Sequence, residues 1–124
     1  MKYLFLDDMR IPRLVFWANI DRDAPWEIVR SYQQAVDWVQ KNGFPDVISF
    51  DHDLEDNHYD GDFSDGRTGY DFCKWLVEYD TNTKTMPDDF RFTIHSLNPV
   101  GAENIKQYLN NYISIKSRDR HETD

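Results

Sequence analysis

Cysteine is almost absent from this 124-residue chain: Cys73 stands alone, which excludes an internal disulfide and agrees with a reducing compartment. Long apolar runs are absent too. Lys2 is followed by only four apolar residues before Asp7 and Asp8, too few for a secretory leader, and no stretch approaches the length of a membrane span. A cytoplasmic location with no membrane partner is the expectation. Basic residues are scarce, with 14 Lys and Arg against 23 Asp and Glu and a net charge of −9. Stable binding to duplex nucleic acid needs clustered Lys and Arg, so that class of partner is not expected. A divalent cation or a basic protein suits the surface better. Internal repeats and low-complexity segments are also missing.

Aromatics, by contrast, are plentiful: four Trp, seven Tyr and eight Phe can build a core in a chain of single-domain length. Residues 2–6 form a short apolar run that stops at Asp7-Asp8, as a buried strand with a polar end would. Residues 9–25, with Pro12, Asn19, Asp21, Asp23 and Pro25, read as a long loop. Residues 26–30 alternate as a strand. Ser31 and Gln34 open a helix carrying Tyr32, Ala35, Val36 and Val39, which Gly43 and Pro45 stop. Val47-Ile48-Ser49-Phe50 is a nearly continuous apolar run typical of a central parallel strand, ending at Asp51-His52-Asp53. Thr68 and Asp71 open a second helix with a Phe72, Trp75, Leu76, Tyr79 stripe. Phe90, Phe92 and Ile94 alternate in a strand that ends at His95-Ser96. Asn98 as N-cap and Pro99 at the first helical position begin the last helix. Residues 1–115 are expected to form the domain, and 116–124 a flexible charged tail. The alternation predicts an α/β fold, a small Rossmann-like three-layer sandwich with a mostly parallel sheet of about four strands.

In such a sheet the carboxyl ends of the strands share one edge, where ligands bind. Asp7, Asp8, Asp51, Asp53, His52, His95 and Ser96 therefore converge from three separated segments. Packed carboxylates repel unless they protonate or hold a cation, and a hard oxygen cluster suits Mg²⁺ or Mn²⁺. A cation there recruits a phosphate, and imidazoles beside it supply proton transfer. Each piece has a plainer use. An Asp after a strand caps the next turn, and a lone His is more often a hydrogen-bonded, partly buried residue. The coincidence of three strand ends is what points to a site. Asp56 to Gly66 has the composition of a calcium loop but misses the EF-hand spacing, and reads as a solvated lid. Cys73 and the Trp75 stripe read as core. Arg10 and Arg67 flank the site in sequence and are candidates to grip a phosphate.

The segments Phe5-Leu6-Asp7-Asp8-Met9-Arg10-Ile11-Pro12, Phe50-Asp51-His52-Asp53-Leu54, Thr68-Gly69-Tyr70-Asp71 and His95-Ser96-Leu97-Asn98-Pro99-Val100-Gly101 together resemble the cyclic-phosphate-processing receiver-like domains of bacteria and their phages. The resemblance runs from about Tyr3 to Asn111. It implies a receiver-like fold and chemistry on a cyclic or terminal phosphate of a nucleotide or RNA end. Among wider relatives, response-regulator receivers carry an acidic pair, a phospho-accepting Asp and a Ser or Thr, positions that Asp7-Asp8, Asp51 and Ser96 would fill. The chain lacks the fifth strand and its Lys, and His52 and His95 are not receiver features. The expectation is thus a metal-dependent phosphoesterase. Asp7, Asp8, Asp51 and Asp53 serve the metal, His52 and His95 act as base and acid, and Ser96, Asn98 and Arg10 bind the phosphate. The alternative is a non-enzymatic receiver-like module with Asp51 as phospho-acceptor or metal ligand.

Overall fold

The computed structural model describes residues 1–54 and 67–122, the last five by backbone alone. The lid-like segment read from Asp56 to Gly66 lies outside the described residues. Four strands form one parallel sheet: β1 (Tyr3–Leu6), β2 (Trp26–Val29), β3 (Val47–Phe50) and β4 (Arg91–Ile94), in the order β2-β1-β3-β4. Three helices follow β2, β3 and β4: α1 (Tyr32–Asn42), α2 (Gly69–Thr83) and α3 (Pro99–Glu122). The connection between β1 and β2 has no α-helix, only a short 3₁₀ turn at Pro12–Leu14, as its irregular, Pro- and Asp-bearing sequence suggests.

Helix starts follow local chemistry. The Ser31 hydroxyl accepts from the Gln34 N–H at the head of α1. Thr68 and Asp71 complete a reciprocal capping box at the head of α2, satisfying donors that a helix end otherwise leaves unpaired. The Asn98 side-chain oxygen accepts from the Gly101 N–H at the start of α3. Gly43 stops α1 with a φ of 90°, a conformation that costs glycine nothing. The tail expected from residue 116 onward is instead continuous with α3 as far as Glu122. No Gly or Pro interrupts the sequence after Gly101, and Lys116 pairs with Asp80 of α2 at 2.5 Å.

Successive residues of a strand face opposite sides. Leu4, Leu6, Ile48 and Phe50 share one core with residues from all three helices, among them Val36, Val39, Leu76 and Ile105. Cys73 belongs to this core, where burial pushes its thiol up to about 12. Trp75 packs against it, in a stacked run with Phe72 and Tyr79. Phe5 and Ser49 face the other way, and Val15 from the β1–β2 connection is fully buried outside the helix-lined core. Trp26 meets Phe5 edge-on at 6.0 Å. The third layer of the sandwich is therefore irregular chain and aromatic side chains. No helix among the described residues is long and apolar enough to cross a membrane.

Candidate functional site

From β1 the chain turns one way to β2, and from β2 it crosses back over β1 to β3. The reversal leaves a crevice outside the carboxyl ends of β1 and β3, where open α/β sheets bind ligands. Leu6 pairs with Phe50, and Phe50 with Ile94. The row continues past the assigned strands, because Asp51 N–H donates to Leu6 and His95 N–H to Phe50. Asp7, Asp51 and His95 thus occupy successive columns at one level.

Asp7, Asp8 and Asp51 bring carboxylate oxygens within 4.8 Å of one another. Asp7 is fully buried. Its Oδ1 accepts the N–H groups of Met9 and Arg10, each at 2.8 Å, and its Oδ2 faces His95 Nε2 at 3.0 Å. Burial alone would raise its pKa, but the hydrogen bond from His95 and those two N–H groups outweigh it and hold the carboxyl well below the usual range. Asp51 is only 4% exposed and differs in kind. Among the described residues no group donates a hydrogen bond to its carboxyl, and its ion-pair partner is Arg10 Nη1 at 3.9 Å. Burial, then the negative charge of Asp7, pushes it up to about 6, against the lowering pull of His95 and Arg10.

Asp8 and Asp51 border a cleft of about 280 Å³ lined also by Met9, Arg10, Asp53 and Leu97. Arg10 lies 3.5 Å from Asp7 and 3.9 Å from Asp51, with its guanidinium 5.2 Å from the Trp17 ring. Asp53 stands at the cleft wall, apart from the acidic trio. Its Oδ1 contacts His52 Nδ1 at 2.8 Å and accepts from Asn98 Nδ2 at 3.2 Å. The His52 hydrogen bond chiefly lowers its pKa, with burial opposing and Asn98 assisting.

His52 sits between two helix starts, and two glycines make that seat. A Cβ on Gly69 would lie 1.9 Å from the Asp51 carbonyl oxygen, and one on Gly101 would lie 2.3 Å from the His52 ring. Ser96 accepts from the Asn98 N–H at 3.1 Å and, with Asn98, shapes the turn into α3. Neither borders the cleft, and His52 stands behind Asp53, outside the lining residues. Of the phosphate-binding candidates, Arg10 borders it.

His95 departs from the sequence expectation. It is fully buried, its ring stacked on Phe5 at 4.4 Å, and both nitrogens are engaged: Nδ1 with Ser49 Oγ at 2.7 Å, Nε2 with Asp7. A ring enclosed in this way has no nitrogen left to exchange a proton with a molecule in the cleft. Its orientation follows from strand alternation, since His95 falls on the Phe5 and Ser49 side of the sheet.

Three further residues shape the site. Ser49 was visible as a polar residue inside an apolar strand, which calls for a buried partner. Arg30, just past β2, donates to the carbonyl oxygens of Asp7 at 3.2 Å and Arg10 at 2.6 Å, fixing the loop after β1. Trp17 Nε1 donates to the His95 carbonyl at 2.6 Å. No local pattern marks either of the last two, because each partner is distant in sequence.

The family model for the cyclic-phosphate processing receiver domain matches residues 2–111. No curated protein and no solved structure matches the chain. The match spans β1 through most of α3 and includes every residue of the cleft, and with the parallel receiver-like sheet it establishes that the chain belongs to the cyclic-phosphate processing receiver domain family.

Proposed function

We propose that this domain is a metal-dependent phosphoesterase that opens a cyclic phosphate or removes a terminal one on a nucleotide or RNA end. One observation carries the reading. Asp51 is a buried carboxyl with no hydrogen-bond donor among the described residues, beside two further carboxylates at the mouth of a cleft. Buried polar groups that stand so are costly and call for a ligand. The donor set is all oxygen, which fits Mg²⁺ or Mn²⁺. Asp7, Asp8 and Asp51 would hold the ion, which when bound supplies charge stabilisation on a phosphoryl oxygen.

The chain's own residues do the rest. Arg10, at the cleft wall, grips the phosphate with its guanidinium. Asp53 fixes the His52 ring through Nδ1, which leaves Nε2 to move the proton. Water adds to phosphorus and one ester P–O bond breaks. The proton lost by water and the one gained by the leaving oxygen balance; a cyclic phosphate gives a phosphomonoester, and a terminal phosphate gives inorganic phosphate and a free hydroxyl. Loss of a proton-transfer group costs on the order of 10²–10⁴ in rate. His52→Ala is therefore expected to keep the fold while lowering turnover of a 2′,3′-cyclic nucleotide by that factor. Full activity of the variant would remove His52 from the reaction. Tight binding without turnover by the wild type, in both Mg²⁺ and Mn²⁺, would remove the enzyme.

A second reading rests on Asp51 alone, which lies directly after β3, where response-regulator receivers carry their phospho-acceptor. Stable labelling of Asp51 by acetyl phosphate would favour a signalling module over a hydrolase.

A further inference from the structure

We propose that Ser49 and His95 are positioning residues, a buried hydrogen-bond relay that holds the Asp7 carboxylate in the orientation required to receive the cation. The proposal rests on the metal reading above and concerns how the chain prepares that site. Ser49, His95 and Asp7 are all fully buried. The Ser49 oxygen lies 2.7 Å from His95 Nδ1, and His95 Nε2 lies 3.0 Å from Asp7 Oδ2.

A carboxylate accepts only, so His95 Nε2 donates to Asp7. In the proposed relay the ring is the neutral imidazole, which carries one N–H, so Nδ1 accepts and the Ser49 hydroxyl donates to it. Every donor in the relay points towards Asp7. Groups that hydrogen-bond to a metal's ligands in this way set the orientation of those ligands.

The ring cannot turn away from this duty. One face stacks on Phe5 at 4.4 Å with an interplanar angle of 4°, and the backbone carbonyl of His95 is held by Trp17 Nε1. With Oδ1 of Asp7 fixed by two backbone N–H groups, the relay fixes Oδ2 and removes the carboxylate's rotational freedom. Ser49 has no other evident duty, since a serine in the centre of a buried parallel strand loses apolar packing and must find a partner for its hydroxyl.

Manganese affinity, measured by electron paramagnetic resonance of free Mn²⁺, tests the relay. Loss of a group that hydrogen-bonds to a metal ligand typically lowers metal affinity about 10–100-fold. Ser49→Ala is expected to fall in that range while remaining folded. His95→Phe, which keeps the stack on Phe5 but has no donor, is expected to fall at least as far. His95→Gln retains an amide donor for Asp7 and is expected to bind more tightly than His95→Phe. Adding Ser49→Ala to His95→Gln should weaken binding no further, whereas independent packing roles would add. Wild-type affinity in folded Ser49→Ala, or equal loss in the Gln and Phe variants, would overturn the proposal. Nitrogen-15 spectra of the imidazole in the metal-free protein supply a readout that needs no ion. They should show His95 as the Nε2–H tautomer with Nδ1 accepting, altered by Ser49→Ala. If the wild type binds no Mn²⁺, the metal reading fails by itself, and an Nδ1–H tautomer would sink the relay separately.

Discussion

Asp51 and Asp80 are both buried aspartates near the end of a regular element, and their surroundings are opposite. Asp80, near the end of α2, is fully buried and fully furnished. Its Oδ2 accepts from Tyr112 and Lys116, each at 2.5 Å, and its Oδ1 accepts the Met86 N–H at 2.6 Å. Burial would raise its pKa, but the hydrogen bonds from Lys116 and Tyr112, with that of the Met86 N–H, hold it below the usual carboxylate range. It ties α2, α3 and the turn before β4 together. Asp51 has a comparable burial and, among the described residues, no such donors, so its charge is destabilising in the metal-free protein. A carboxyl whose partners are all supplied by the chain serves the fold, whereas the surroundings of Asp51 do not account for its charge in that way.

Removing each carboxyl should therefore move stability in opposite directions. The largest effect is expected from Asp80→Ala, about 3–5 kcal/mol of destabilisation in urea unfolding, the cost of breaking one side of a buried pair. A loss below about 1 kcal/mol would mean that Asp80 is no more than a surface-like contact. Asp51→Asn should instead stabilise the metal-free protein at neutral pH, by up to about 3 kcal/mol from a rise of roughly two pKa units, and abolish any Mn²⁺-induced rise in melting temperature.

The pH dependence follows from the direction of the shift. The folded pKa of Asp51 is raised from 3.8 to about 6, so the folded state holds the proton more tightly and stability falls as pH rises across that window. Below 3.8 both states are protonated and no penalty exists. Asp80, with its folded pKa lowered, contributes above its unfolded pKa and loses that contribution as pH falls. Metal-free melts of wild type should show the decline on going from 3.8 to about 6, and Asp51→Asn should lack it. A decline that survives the substitution belongs to another group. The smallest effect is expected for Lys116→Met, about 1–2 kcal/mol, because Tyr112 and Met86 remain to satisfy Asp80. A loss matching that of Asp80→Ala would show that the ion pair alone holds the helices.

Much of this was legible in the sequence where the physics is local. The caps at Ser31, Thr68 and Asn98, the apolar run of β3 and the polar residue after each strand need only neighbours to be understood. The acidic trio was legible as well, because parallel strands must end on one edge. The enclosure of His95 was not legible, because Phe5, Ser49 and Asp7, which engage its ring, lie far away in the chain. The helical course of residues 116–122 was not legible, because Lys116 is held by Asp80, far away in the chain. Arg30 and Trp17 carry no local mark, since their acceptors are backbone carbonyls of distant segments.

The row in which Leu6, Phe50 and Ile94 pair has one more consequence. Asp7, Asp51 and His95 form the next rung of the same ladder, secured by backbone bonds to Val29, Leu6 and Phe50. Their spacing is thus set by the interval between strands, about 4.8 Å in any sheet, and owes nothing to the segments that follow. Residues inserted or deleted just beyond Arg10 would reshape the cleft wall and leave the distance between Asp7 and Asp51 unchanged. The spacing of the paired carboxyls and the shape of the cleft beside them are separately editable parts of one small domain.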